Sequence, residues 1–574
     1  MTTEKQIIEC VPNFSEGRDM NIIKTITNEI ESVDGVSLLN VDPGEATNRT
    51  VVTFVGEPEA VVEAAFLAAK KAGEVIDMRR HHGAHPRMGA TDVLPLIPVS
   101  GITLDECAAM ARRLAERMAR EAGIPCYCYE AAAFRPERKN LAVCRAGEYE
   151  ALDEKLTNPE RQPDYMPDDV KCGQLEHARR CGCTAVGARD FLIAVNWNLN
   201  TTSTRRANAI AFDVREKGRP MREGNPITGT IIRDEQGNPV MKPGTLKCTK
   251  AIGWYIDEYG IAQVSMNMTN LSVTPLHMAF DEVCRCAQQR GLRVTGTEIV
   301  GLVPKKALID AGKHFLQKQH RSVGIPEEDI IKIAVKSMGL DDLCPFNPRE
   351  KVIEYLMEDK QQHKTLRLAN LSVKDFANET SRESPAPGGG TVAAYMGALG
   401  AALGTMVANL SAHKAGWDDR WEEFSDWAAM GQDMVGQLLR LVDDDTDAFN
   451  QIMAAYALPK KSEAEKAARQ QAIERATLHA AEVPLRTMKV ATQAFIVCRA
   501  MAKEGNPASI SDAGVGALAA RAAVLGAGLN VKINAAQLAD RAKATKLVAE
   551  ADTLIRKANE AEREIMEAVN AKMV

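Results

Sequence analysis

Between Arg79 and Met88 the chain places three histidines and three arginines within ten residues. Imidazole moves protons near neutral pH, and guanidinium grips carboxylates with a fixed fork. The run reads three ways: acid–base machinery for an anionic substrate, a metal site, or a solvated basic loop. His81, His82 and His85 fit no His-Glu-x-x-His spacing, so a metal would need ligands from elsewhere. Acid–base catalysis is the preferred reading. A second candidate lies far downstream. Val435, Leu438, Val442, Asp445, Phe449 and Ile452 recur at steps of three and four, an apolar helical seam with Asp445 in a leucine position. A carboxyl among apolar groups resists ionisation and can act as a general acid. It can equally be a structural carboxylate paired with a base or the backbone. Asp443, Asp444 and Asp447 fall off the seam and read as solvated, with Asp443 and Asp447 titrating as ordinary aspartates.

Two further clusters carry chemically capable types. Cys172, His177, Cys181 and Cys183 are metal-ligand residues, but their spacing fits no standard zinc module, and free thiols in a helical connector are the default. No metal is assigned. Residues 385–391 form a glycine-rich turn before a helix. Its free N–H groups could hold an anion, or its glycines, with Gly397, Gly400 and Gly404, could let helices pack closely.

The elements that position these groups follow from periodicity. Gly83, Pro86 and Gly89 make the histidine run a loop between a helix (57–75) and a strand (93–99). Upstream come an apolar run (7–11), a helix (21–31), a strand (36–40) that delivers Asp42, and a strand (51–55). The order β-α-β-β-α-β is the split-βαβ pattern of ferredoxin-like folds. A helix (104–121) and a strand (126–129) extend it. After an irregular connector (163–183) the order recurs: strand 191–196, helix 202–215, strands 252–256 and 261–266, helix 276–289, strand 292–296. Turn signals in 216–247 suggest an added hairpin. From 372 onward alanine-rich helical periods dominate. The expected architecture is therefore multidomain: two α/β (ferredoxin-like, split βαβ) subdomains with a cleft between them, at 1–180 and 181–326, a linker at 327–370, and an all-α domain at 371–574.

Composition agrees with an ordinary globular protein. The chain has 574 residues, 45% hydrophobic and 26% charged, with a net charge of −6. That balance gives no whole-chain reason to expect nucleic acid or membrane binding. No basic segment followed by an apolar one opens the chain, so no secretory leader is expected. The apolar window 393–410 reads as a buried helix. Thirteen cysteines, an odd number, point to reduced thiols in a cytoplasm.

Three motifs in the first half, Glu9-Cys10-Val11-Pro12-Asn13-Phe14-Ser15-Glu16-Gly17, Thr47-Asn48-Arg49-Thr50 and His85-Pro86-Arg87-Met88-Gly89-Ala90, resemble glutamate formimidoyltransferase. Gly187-Ala188-Arg189 and Ile299-Val300-Gly301-Leu302-Val303-Pro304 resemble its second subdomain. Ala386-Pro387-Gly388-Gly389-Gly390 and Leu441-Val442-Asp443-Asp444-Asp445 resemble formimidoyltetrahydrofolate cyclodeaminase. Their order is that of the bifunctional formimidoyltransferase-cyclodeaminase family.

The resemblance implies transfer of a formimino group from N-formimino-L-glutamate to N5 of tetrahydrofolate, polyglutamylated or not. Cyclisation to 5,10-methenyltetrahydrofolate with release of ammonia then follows, ending histidine degradation. It implies His85 as the transferase histidine, Asp42 as its partner and Asp445 as the cyclodeaminase acid. Asn48, Arg49, Arg87, Gly182, Arg189, Gly388, Gly389 and Gly390 are the expected substrate-binding residues, with Arg49 and Arg87 assigned to carboxylates. Tetrahydrofolate enters as co-substrate, no metal is expected, and a homo-oligomer through the helical domain is. Two alternatives stay open: formyl transfer from N-formylglutamate, and an inactive folate-binding scaffold. The connector and the 216–247 segment depart from the family pattern.

Overall fold

In the computed structural model, residues 6–45, 48–83, 86–224, 229–257, 259–362, 367–384 and 386–573 are described. β1 (Ile7–Cys10) and β2 (Asn13–Phe14) are two pieces of one strand path, interrupted at Val11 and Pro12. α1 (Met20–Glu31), β3 (Val36–Gly44), β4 (Arg49–Gly56), α2 (Pro58–Val75), β5 (Thr91–Ser100), α3 (Leu104–Ala122), β6 (Cys126–Glu130) and β7 (Thr184–Ala188) follow. Across the sheet the order is β3, β4, β1 with β2, β5, β7, β6; it is antiparallel as far as β5 and parallel beyond it. Side chains alternate between the two faces. Ile8, Cys10, Val52, Phe54, Leu94 and Leu96 pack against the helices. Glu9, Val11, Asn13, Arg49, Val51 and Val93 are left on the opposite face. α3 shows why the helix limits are sharp: Thr103 and Glu106 form a capping box, and Gly123, at φ 66°, ends it in the left-handed region.

The pattern then repeats. β8 (Ile193–Leu199), α4 (Thr204–Val214), a small hairpin of β9 (Arg219–Pro220) and β10 (Met241–Lys242), β11 (Thr249–Ile256), β12 (Ile261–Met268), α5 (Leu276–Gln288) and β13 (Val294–Val300) build a second antiparallel sheet. Its order, β11-β12-β8-β13, matches β3-β4-β1-β5 of the first. Fully buried Trp197 anchors its core, 5.8 Å from the Phe280 ring. The hairpin expected in 216–247 is there, its tip closed by Asp234, which accepts the amides of Gln236 and Asn238.

Two boundaries need correction. The second subdomain is expected from 181, yet Thr184–Ala188 pairs in parallel with β5 and β6 and so completes the first sheet. The connector before it holds two short helices, Asp168–Lys171 and Glu176–Cys181. Nor is 327–370 a plain linker. The chain divides into one compact unit of Met1–Leu308 with Met338–Gln361, and another of Ile309–Ser337 with Gln362–Val574. α6 (Lys305–Lys318), α7 (Glu327–Met338) and α8 (Ile353–Gln362) fall in this region. In the first unit Ile353 and Met357 of α8 pack on Val55. In the second, Gly324 lies so close to Ala428 that a Cβ there would meet it at 2.2 Å.

The second unit is helical among its described residues. Its main elements are α9 (Gly389–Ala412), α10 (Trp421–Ala457), α11 (Glu463–Glu504), α12 (Ile510–Ala535) and α13 (Arg541–Met573). α9 and the 507–535 stretch are long and apolar enough to cross a membrane, but 61% and 50% of those windows are buried inside the molecule. They are core helices. Small residues bring them together: a Cβ on Gly400 would lie 2.8 Å from the Gly516 carbonyl oxygen.

Candidate active sites

The three motifs of the first half converge. Asn48, at φ 47°, receives the Gly17 amide on Oδ1 (3.0 Å) and donates through Nδ2 to the His82 carbonyl (3.0 Å). Asparagine tolerates that left-handed backbone better than most residues. Ser15 donates to the Gly89 carbonyl (2.7 Å). His81 is fully engaged: Nε2 donates to the Asn48 carbonyl (2.8 Å), which leaves Nδ1 to accept from Arg87 Nε (3.4 Å). Burial holds its pKa below the usual histidine value, so it is a neutral strut. Arg87, expected to hold a substrate carboxylate, gives its guanidinium to Glu150 in two bonds (2.7 and 2.9 Å) and to Glu148 (3.2 Å). Gly182, at φ 71°, touches Gly89 backbone to backbone; a Cβ there would sit 2.4 Å from the Met88 carbonyl oxygen. His85 lies outside the described residues.

Beside this knot, a cavity of about 680 Å³ opens on the face of the first sheet that carries Val11, Asn13, Arg49, Val51 and Val93, and reaches the second sheet. Arg49, Arg145, Arg189 and Lys250 line it, against Glu130 and Asp190. The excess of cations suits an anionic ligand. Arg49 leans on Asn13, whose Oδ1 accepts from Nε at 3.0 Å. Arg145 pairs with buried Asp92, which also accepts the Met88 amide (3.0 Å) and so ties the cavity wall to the histidine loop. Asp42 pairs with Val51 in the β3–β4 ladder, and residues paired across strands share a face. It is therefore an exposed carboxylate on the cavity side of the sheet.

In the helical unit Asp445 meets the first turn of α9. Thr391 donates its hydroxyl to Asp445 Oδ2 (2.8 Å) and receives the Gly388 amide (3.4 Å). A Cβ on Gly390 would lie 2.3 Å from Asp445 Oδ1, so only glycine admits this approach. Gly389 faces Asn530 of α12. Burial pushes the Asp445 carboxyl above the usual aspartate range, and the bonds from Thr391 oppose that. The glycine turn thus receives a carboxylate of its own chain.

One expectation fails here. Asp443 does not behave as an ordinary solvated aspartate: burial raises it too, and it accepts the Leu368 amide at 2.7 Å. Asp444 pairs with Arg486 at 3.5 Å, and Asp447 is exposed. The Cys172, His177, Cys181 and Cys183 set does not converge: Cys172 is exposed, Cys181 and Cys183 are buried, and His177 bonds the Ala122 carbonyl (3.0 Å).

Comparison with known proteins follows the same division. Residues 7–189 match the formiminotransferase domain, N-terminal subdomain, 194–358 the formiminotransferase domain, and 372–553 the formiminotransferase-cyclodeaminase model. The chain is 41% identical to the formimidoyltransferase-cyclodeaminase of Rattus norvegicus over 535 residues, 93% of each chain. It belongs to the formimidoyltransferase-cyclodeaminase family. The glutamate formimidoyltransferase of Streptococcus pyogenes serotype M1 matches the front half, at 41% over 54% of this chain and 94% of its own. The methenyltetrahydrofolate cyclohydrolase of Methylorubrum extorquens matches the helical half, at 36% over 36% of this chain and 98% of its own.

Within this chain, some expected site residues meet and others do not. Arg49 and Arg189 share the cavity wall; Gly388, Gly389 and Gly390 gather at Asp445. Asn48, Arg87 and Gly182 instead hold the loops together. Arg145, Lys250 and Asn13 were missed. Only Asn13 lay in a singled-out motif; the other two are lone cations on a short helix and a strand, with no spacing to mark them.

Proposed function

We infer that the chain is a bifunctional enzyme of histidine and one-carbon metabolism. It transfers the formimino group of N-formimino-L-glutamate to tetrahydrofolate and then cyclises 5-formiminotetrahydrofolate to 5,10-methenyltetrahydrofolate, releasing ammonia. The observation that carries this is the 41% identity spanning 93% of both chains. Tetrahydrofolate is a co-substrate, and among the described residues no cluster of metal-ligand types appears.

The transferase step belongs to the α/β unit, whose cationic cavity supports an anionic substrate. N5 must lose a proton as it attacks the formimino carbon, and the departing glutamate nitrogen must gain one. His85 is assigned both transfers on the family resemblance, with Asp42 steadying the imidazolium. Arg49 and Arg189 take the substrate carboxylates. In the helical unit N10 attacks the formimino carbon, and the former formimino nitrogen leaves as ammonia. That nitrogen must be protonated first, and Asp445, whose carboxyl burial pushes above the usual aspartate range, is assigned the proton transfer. Both α/β parts are read as ferredoxin-like, supported by their shared strand order.

Assembly through the helical unit fits its surface, where Leu399, Leu410, Val515, Leu518, Leu529 and Ile533 stand exposed on α9 and α12. Thirteen cysteines, with no disulfide among the described residues, support a reducing cytoplasm.

Incubating the protein with N-formimino-L-glutamate and tetrahydrofolate should yield ammonia and 5,10-methenyltetrahydrofolate in equal amounts; no ammonia would refute the assignment. N-formylglutamate in parallel decides the donor by specificity constant. The cyclohydrolase likeness favours a second reading of the helical half, hydrolysis of the methenyl product. Decay of added 5,10-methenyltetrahydrofolate would reveal it.

A further inference from the structure

Glu9 is a titratable group that the mechanism leaves unused. It sits in β1 at 3% exposure, two residues before Val11 of the cavity wall and on the same sheet face. Its partners across the sheet, Val55 and Ile97, are apolar. Among the described residues no hydrogen bond reaches its carboxyl. The charges acting on it come from other elements: Arg189, just past β7, favours ionisation, and Glu354 in α8 opposes it. Glu354 itself accepts the Lys305 amide (2.8 Å). On β1, neighbouring Cys10 turns toward the helices, its thiol pushed well up by burial and by Glu9. Burial is the largest influence on Glu9 and lifts it to about 7. Arg189 meanwhile lines the cavity.

We propose that Glu9 is a positioning residue for Arg189. With its carboxyl neutral, Arg189 offers a full charge to a carboxylate of the transferase substrate; with it ionised, Glu9 competes for that charge from behind the wall. The inference rests on the reading that this cavity receives the anionic substrate. Binding then takes up a proton, because a ligand carboxylate at Arg189 leaves Glu9 without a balancing cation. Affinity falls as pH rises past neutrality.

The test is the pH dependence of KM for N-formimino-L-glutamate in the full-length enzyme, with calorimetry in buffers of different ionisation enthalpy. The wild-type KM should rise about tenfold between roughly pH 6.5 and 8.5, with net proton uptake on binding. Glu9→Gln should flatten the KM profile and abolish the uptake while leaving the pH profile of kcat unchanged. Arg189→Gln should raise KM throughout. If Arg189→Gln raises KM but Glu9→Gln keeps the slope and the uptake, the inference falls and the cavity reading stands. If Arg189→Gln leaves KM unchanged, the cavity reading falls and takes the inference with it. Should Glu9→Gln not fold, as judged by loss of the β-sheet signal in circular dichroism, Glu9→Asp decides: a shifted midpoint supports the role, an unmoved one overturns it.

Discussion

Asp445 and Gly390 are in contact through the carboxylate oxygen of one and the bare α-carbon of the other, with the Thr391 hydroxyl 2.8 Å from the second oxygen. The acid and the start of α9 therefore form one unit. Asp445→Asn keeps that shape and loses the proton. It should lower cyclodeaminase kcat by about 10²–10⁴ and let 5-formiminotetrahydrofolate accumulate, read by ammonia release, while transfer runs normally.

Gly390→Ala should damage the same half by another route. The added methyl would sit 2.3 Å from Asp445 Oδ1, so the carboxyl must move. Ring closure should fall at least tenfold, with a stability cost of about 1–3 kcal/mol by thermal unfolding. Unchanged ring closure would separate Asp445 from the chemistry.

Asp443 separates stability from catalysis. Asp443→Ala strands the Leu368 amide and should cost about 1–2 kcal/mol in urea unfolding of the helical unit, while Asp443→Asn keeps an acceptor and should cost less. Neither should lower cyclodeaminase kcat as Asp445→Asn does. The reverse order would make Asp443 the acid.

His85→Ala should abolish transfer and spare cyclisation of supplied 5-formiminotetrahydrofolate. Arg87→Ala is the contrasting case. It loosens the loop held by Glu148 and Glu150, so kcat should fall with little change in KM for N-formimino-L-glutamate. A steep rise in KM alone would return Arg87 to the substrate.

Glu9 should also mark the stability curve. Its carboxyl is raised from 4.5 to about 7 on folding, so the folded state holds the extra proton between those values. Stability conferred by the neutral form is then lost as pH rises across that window, by roughly 3 kcal/mol in all. Glu9→Gln should remove this loss, gaining most over the wild type at pH 8 or so, as urea midpoints would show.

Asp445 was visible in the sequence because a helical period exposes a carboxylate among apolar side chains; Leu438, Val442 and Ile452 are indeed buried. The burial of Asp443 was not visible, because it comes from Leu368, brought from another segment. Arg87 is the same case, since no local period announces Glu148 and Glu150. β7 hid for a different reason. All five of its residues are buried, which leaves no polar–apolar alternation, and it contains Gly187, where a Cβ would strike the Tyr129 ring at 2.5 Å. The repeated α/β order was legible because its strands are bounded by turns and its helices by amphipathic periods.

The contact of Gly400 with Gly516 also constrains how the chain is made. α9 leaves the ribosome well before α12, the helix against which its glycines close, and more than a hundred residues must be added in between. At translation rates of 5–20 residues per second that interval is on the order of ten seconds. Throughout it, a helix apolar enough to enter a bilayer has α10 beside it but lacks α12. The helical unit is the part of this protein that should lean hardest on chaperones, and slowing synthesis after α9 should lower its soluble yield.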